Sequence, residues 1–190
     1  MNSSARVRDD LGYVAGVLRR HDHYRGVPAI YFMWAAITLV GFALPDFAPR
    51  SAGPYWLVMG IGGGLLSWWL GVRTARRAGI NDHALGQRYA RHWVIAGIGY
   101  LLAALPLIIG QAPATTGNAA FLLVGGLAYA LAGVHLERPL WWIGLLMLLA
   151  YVVMVIFQPP YAWTITGAVI ALSLAGCGWT AIGSCTPAAS

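Results

Sequence analysis

The feature that most constrains this chain is the alternation of six long apolar stretches with short polar connections. The longest of these connections, Arg73–His92, carries five arginines and one aspartate. Each apolar stretch has close to the roughly 20 residues with which an α-helix crosses the hydrocarbon core of a bilayer. Peptide groups in lipid find no water, so a spanning segment must satisfy its hydrogen bonds internally. The pattern predicts an all-α polytopic integral membrane protein with six transmembrane helices, arranged as three hairpins.

Proline, glycine and charged residues mark the ends of these spans. We expect transmembrane helices at 27–44, 55–72, 92–109, 119–136, 140–157 and 162–182. Pro45 is expected to end the first helix, because proline interrupts a helix, and residues 45–54 are expected to form a tight outer loop. Residues 27–182 then form the transmembrane domain, residues 1–26 a cytoplasmic segment before it and residues 183–190 a short cytoplasmic tail.

Residues 4–20 have the spacing of an amphipathic helix. Val7, Leu11, Val14 and Leu18 recur at intervals of four, three and four residues, and charged side chains occupy the opposite face. Such a helix lies along the membrane surface, with its apolar side on the headgroup boundary. It is interpreted as an anchor, with a docking helix for a cytoplasmic partner as the alternative. No cleavable signal peptide is expected, because mostly polar or amphipathic residues precede the first span.

The distribution of arginine predicts the orientation. Eleven of the twelve arginines lie on one side of the predicted spans, and Arg50 alone lies on the other. The positive-inside rule therefore places both termini in the cytoplasm, and we expect the plasma membrane of a bacterium. Because the net charge of +6 comes from short loops beside apolar spans, we expect contact with bilayer lipids and no nucleic-acid partner. Cys177 and Cys185 would remain reduced on this side, so no disulfide is predicted.

Small residues mark two faces at which helices are expected to pack closely. Gly60 and Gly64 lie one turn apart in the second span, and Gly167, Ala171 and Ala175 repeat at four-residue intervals in the sixth. Small side chains at this spacing allow the backbones of transmembrane helices to approach each other. The same faces would permit a homo-oligomer.

Three tyrosines, Tyr100, Tyr129 and Tyr151, are the polar residues expected at mid-depth in the third, fourth and fifth spans. They could line a pocket for a lipid or a small ligand, since a phenol combines an aromatic body with one polar group. The alternative is that their hydroxyls bond to neighbouring helices. No aspartate, glutamate, arginine or histidine is expected deep in a span, and no GxSxG nucleophile motif occurs.

The histidines map to the predicted cytoplasmic side and are weak candidates for a metal site. His21 and His23 form an HxH pair, while His92, His135 and Glu137 lie at span ends. The surrounding arginines would repel a divalent cation. We therefore expect no metal and no other cofactor.

Three classes of function remain open from the sequence. The leading interpretation is a non-catalytic accessory or regulatory membrane subunit that acts through its cytoplasmic face, so enzymatic activity is not expected. The second is a carrier for a small solute, a lipid or a metal. The third is a metal-dependent membrane enzyme. A continuous polar cavity would favour the carrier, and converging histidines and carboxylates would favour the enzyme.

Overall fold

The computed structural model describes residues 26–77, 79, 83–111, 114–157 and 159–183, with only the backbone described at 83, 114–118 and 183. Six helices occupy these ranges: α1 (Pro28–Phe47), α2 (Pro49–Arg77), α3 (His83–Ile108), α4 (Ala114–His135), α5 (Arg138–Phe157) and α6 (Ala162–Gly183). Five of them are long and apolar enough to cross a membrane, while α4 is apolar over a shorter stretch, Ala119–His135. The described chain is therefore all-α and multi-pass, as predicted. The predicted amphipathic helix at 4–20 and the tail after 183 lie outside the described residues.

The predicted outer loop at 45–54 is wrong. Pro45 lies inside α1, and Ala48 is the single non-helical residue between α1 and α2. Its φ of −147° and ψ of 64° follow from its place before Pro49, because a proline excludes the preceding residue from the helical region. Pro49 then begins α2, at a position where the missing N–H costs no hydrogen bond. The turn between the first two helices thus needs one residue.

The helices also extend into the polar segment Arg73–His92. α2 continues to Arg77, and α3 begins at His83, well before the apolar residues from which its span was predicted. A helix needs no apolar face once it leaves the hydrocarbon core, so hydropathy marks the membrane and not the helix end. Polar helical turns therefore extend from the membrane on this side.

The helices pack in the order α2, α1, α6, α5, α4, α3, and each described helix contacts its neighbours in this row. The most extensive interfaces are α1–α6 and α4–α5, whereas α5 and α6, although consecutive, share the smallest one. The fully buried side chains Leu122, Ile143 and Leu174 lie on α4, α5 and α6, and Tyr31 and Ala35 of α1 belong to the same core. Among the described helices, the α1–α6 interface therefore joins the first predicted hairpin to the third, and the α4–α5 interface joins the second to the third.

Glycines bring the backbones of α4 and α5 into contact. A Cβ built on Gly144 would overlap the backbone nitrogen of Ala130, and one on Gly133 would overlap the backbone of Trp141. On α6, a Cβ at Gly167 would lie 2.5 Å from the Phe42 Cβ. Ala171 is buried in the same interface with α1, and Ala175 packs against the core. The small-residue face of α6 thus lies against α1.

The helix contact expected at Gly60 and Gly64 is not formed by the described helices. A Cβ added at either glycine meets nothing within 4 Å, whereas one at Gly63 would lie 3.1 Å from the Ile37 side chain and 3.2 Å from that of Trp34. Because α2 is an end helix, it has one neighbour, α1. One residue turns a helix face by about 100°, so the face of Gly63 meets α1 and the face of Gly64 does not.

Candidate functional site

Glu137, in the turn between α4 and α5, joins distant parts of the chain. Its Oε2 accepts hydrogen bonds from the Gly26 backbone N–H, at 3.2 Å, and from the Tyr31 hydroxyl. Its Oε1 accepts one from the Tyr89 hydroxyl at 2.7 Å. These four residues, here called the Glu137 junction, connect the segment before α1, α1 itself, α3 and the α4–α5 turn. A single carboxylate therefore fixes the relative positions of helices that are far apart in sequence.

The local sequence explains why Glu137 is free to make these contacts. The Leu136 and Glu137 N–H groups both donate to the carbonyl of Ala132, at 2.7 and 3.0 Å, which ends α4 in a tight turn. The Leu140 N–H then donates to the Glu137 carbonyl, which starts α5. Gly26 lies close beside it, since a Cβ there would lie 2.5 Å from Oε2 and would displace the carboxylate. The backbone of Glu137 thus forms the hydrogen bonds of the turn, and its side chain bonds to α1 and α3.

The helices run roughly from one end of the protein to the other, and the Glu137 junction lies at the end that carries most of the charge. Six of the seven described arginines belong to this end, hereafter the arginine-rich end, and Arg50 lies at the other. The six are Arg73, Arg76, Arg77, Arg88, Arg91 and Arg138. The partners that the structure gives Glu137 are nevertheless two phenols and a peptide N–H, so its charge is stabilised by hydrogen bonds.

His92 and His135 meet at the same end. Nε2 of His92 lies 3.0 Å from the carbonyl oxygen of Ala128, and its Nδ1 lies 3.1 Å from Nε2 of His135. A carbonyl only accepts, so His92 Nε2 carries a proton, and its Nδ1 accepts from His135 in the neutral form. The lone pair that a metal would use on His92 is therefore occupied by the second histidine.

The predicted metal candidates are only partly brought together. His92 contacts His135, Glu137 bonds to tyrosines, and His21 and His23 lie outside the described residues. Within the described part of the chain, no group of three or more His, Cys, Asp and Glu side chains could hold a metal ion. The expectation that the protein holds no metal stays a prediction.

The three predicted mid-depth tyrosines do not share one position. Tyr100 stacks on Phe121 with ring centroids 5.9 Å apart, and Tyr129 contacts Trp93 edge-on at 5.5 Å, so both lie between α3 and α4. Tyr151, on α5, packs against the core. An apolar hollow of about 340 Å³ between α1 and α6, lined by residues such as Ala35, Ala171 and Leu172, includes none of them. Tyr100 and Tyr129 make ring contacts between helices, and the choice between a ligand pocket and interhelical hydrogen bonds stays a prediction.

Sequence reasoning missed the tyrosines of the Glu137 junction and the role of Asp46. At the end opposite the arginine-rich end, Asp46 Oδ2 accepts from the Thr164 N–H at 2.8 Å and from its hydroxyl at 2.6 Å. The carboxylate of α1 thereby satisfies a free N–H in the first turn of α6. Thr164 is 118 positions from Asp46, so no local pattern signals the contact. Tyr89 did carry a signal, since it lies three residues before His92 on the same helix face.

Compared with protein-family models, with curated proteins and with solved structures, the chain matches none. Its function must therefore be inferred from the geometry of its own residues. The Glu137 junction and the histidine pair each join polar side chains from separate helices, and both lie at the arginine-rich end.

Proposed function

We propose that this protein is a non-catalytic accessory or regulatory subunit in the inner membrane of a bacterium, and that it acts through its cytoplasmic face. The observation that carries this proposal is the Glu137 junction. It ties the start of α1, α3 and the α4–α5 turn to one carboxylate, so a protein that binds at this end would contact a surface whose parts move together.

The charge distribution supports the proposed orientation. The arginine-rich end would face the cytoplasm, with both chain termini on that side. Labelling with a membrane-impermeant maleimide tests this in a variant in which Cys177 and Cys185 are serine. A cysteine at Ser51 should react from outside the cell, and one at Gln87 only after the membrane is opened. The reverse pattern would show that the orientation is wrong.

The bonding of the polar groups supports a non-catalytic role. A general acid or base must have a free position facing a substrate. Both oxygens of Glu137 accept hydrogen bonds from the protein, and the facing nitrogens of His92 and His135 bond to each other. Glu137 and His92, whose second ring nitrogen bonds to the Ala128 carbonyl, thus use their hydrogen-bonding capacity to hold helices together.

Photocrosslinking in living cells tests the accessory role. A diazirine amino acid at Gln87 or Ala90, which are exposed near the Glu137 junction, should link the chain to one defined protein. The matched probes at Phe47 and Tyr161, exposed at the opposite end, should not. Glu137→Gln should weaken the links from Gln87 and Ala90. Equal links from both ends, or solute or lipid flux by the purified chain in vesicles, would contradict the proposal and favour a carrier.

A further inference from the structure

The end of α2 carries a charged hollow that the proposed function does not use. α2 has 29 residues, and at a rise of about 1.5 Å per residue it is longer than the roughly 30 Å hydrocarbon core. Its last turns therefore reach the headgroup layer. Arg73, Arg76 and Arg77 lie there at spacings of three and four, which places them on one side of the helix.

These arginines surround an open cavity of about 260 Å³, whose wall is completed by Trp69 and Val72. The guanidinium of Arg73 lies over the Trp69 ring, with its central carbon 4.9 Å from the ring centroid. A guanidinium has five N–H donors, so this cation–π contact leaves donors for an anion. The cavity thus combines oriented donors with an apolar wall.

No carboxylate in the described part of the chain pairs with the positive charge of these three arginines. The two described carboxylates are committed elsewhere, Asp46 to Thr164 and Glu137 to its junction. The C-terminal end of a helix opposes an anion with roughly half a negative charge. Three guanidinium groups exceed this several-fold, so the field of the described charged groups attracts an anion.

We propose that this cavity binds the phosphate of an anionic phospholipid headgroup. Arginine pairs with two phosphate oxygens at once, which a planar fork of N–H groups permits. Trp69, about half exposed at 49%, lies where tryptophan marks the boundary between headgroups and acyl chains. A soluble phosphate offers the same oxygens but no acyl chain to cover Trp69 and Val72, which favours the lipid.

Binding of short-chain phosphatidylglycerol to the full chain in a neutral detergent tests the proposal, because a neutral micelle removes the general surface potential. Replacing Arg76 and Arg77 together by Gln should weaken binding by roughly tenfold or more. The matched control replaces Arg88 and Arg91, which are exposed at the same end of the protein but do not line the cavity. It should change binding less than about twofold.

Two further measurements separate the cavity from general attraction. Trp69→Leu keeps every charge and should still weaken binding several-fold, and it serves as the test if the double arginine variant does not fold. Inorganic phosphate and short-chain phosphatidylcholine should compete at least roughly tenfold less well than phosphatidylglycerol. Equal losses in the two arginine pairs, no effect of Trp69→Leu, or equal competition by inorganic phosphate would each overturn the assignment of a lipid site.

Discussion

The α4–α5 and α1–α2 interfaces both join consecutive helices, yet they are built differently. Between α4 and α5, Gly133 and Gly144 let one backbone touch the other. Between α1 and α2, the glycines face side chains and not backbone, as Gly41 faces the Trp56 ring and Gly63 faces Ile37 and Trp34. In lipid no hydrophobic force drives helices together, so such contacts depend on close packing and hydrogen bonds. The contribution of a glycine to the stability of an interface therefore depends on whether backbone or a side chain lies opposite it.

Among the substitutions that test this comparison, Gly144→Ala should lower the stability of the protein most. The added methyl group overlaps the Ala130 backbone, which cannot rotate away, so α4 and α5 must separate. We expect a loss of about 3 kcal/mol in the free energy of unfolding, or roughly 6–12 °C in melting temperature in detergent.

Gly64→Ala is the matched control for Gly144→Ala, because its added methyl group meets nothing within 4 Å. Its melting temperature should stay within about 2 °C of the parent. A fall as large as that of Gly144→Ala would show that a further helix, from another molecule, packs on α2.

Glu137→Gln should have the next largest effect. Glu137 uses both oxygens as acceptors, and an amide keeps one acceptor and places N–H donors against a tyrosine hydroxyl or the Gly26 N–H. We expect a loss of about 2 kcal/mol, measured by thermal unfolding.

Asp46→Asn is the comparison for Glu137→Gln at the opposite end. Both Thr164 bonds go to the single oxygen Oδ2, which the amide oxygen can replace. The expected loss is half that of Glu137→Gln or less, about 1 kcal/mol. A larger loss in Asp46→Asn would mean that its charge, acting on the first turn of α6, outweighs its hydrogen bonds.

Tyr55→Phe should have the smallest effect, at the α1–α2 interface. It removes the hydrogen bond of 2.8 Å from the Tyr55 hydroxyl to the Ile37 carbonyl and keeps the ring. Interhelical hydrogen bonds in membranes average about 0.6 kcal/mol, so we expect a loss of that order in thermal unfolding. Tyr161→Phe, at an exposed ring, should change nothing measurable. A loss above about 2 kcal/mol at Tyr55 would indicate that α2 is held by hydrogen bonds more than by ring packing.

The sequence was sufficient to predict the helical class and a helix over each of the six apolar stretches, five of which are long and apolar enough to cross a membrane, because hydropathy records contact with lipid directly. It placed Gly167 and Ala171 on a packing face, but it also selected Gly64 where Gly63 makes the contact. Spacing along one helix identifies a face, and only the neighbouring helix decides whether that face is used. The same reason hid the Glu137 junction, since Tyr31 is 106 positions from Glu137.

The pairing of α1 with α6 has a consequence for the order in which the protein assembles. During synthesis α1 is made before α6, with four helices between them, so the largest interface of α1 stays open to lipid until α6 is inserted. In that interval Asp46 lacks the Thr164 groups that it later binds, and Phe42 lacks Gly167. A chain interrupted after α5 would leave this face of α1 without its partner helix, so the arrival of α6 is the step that buries it.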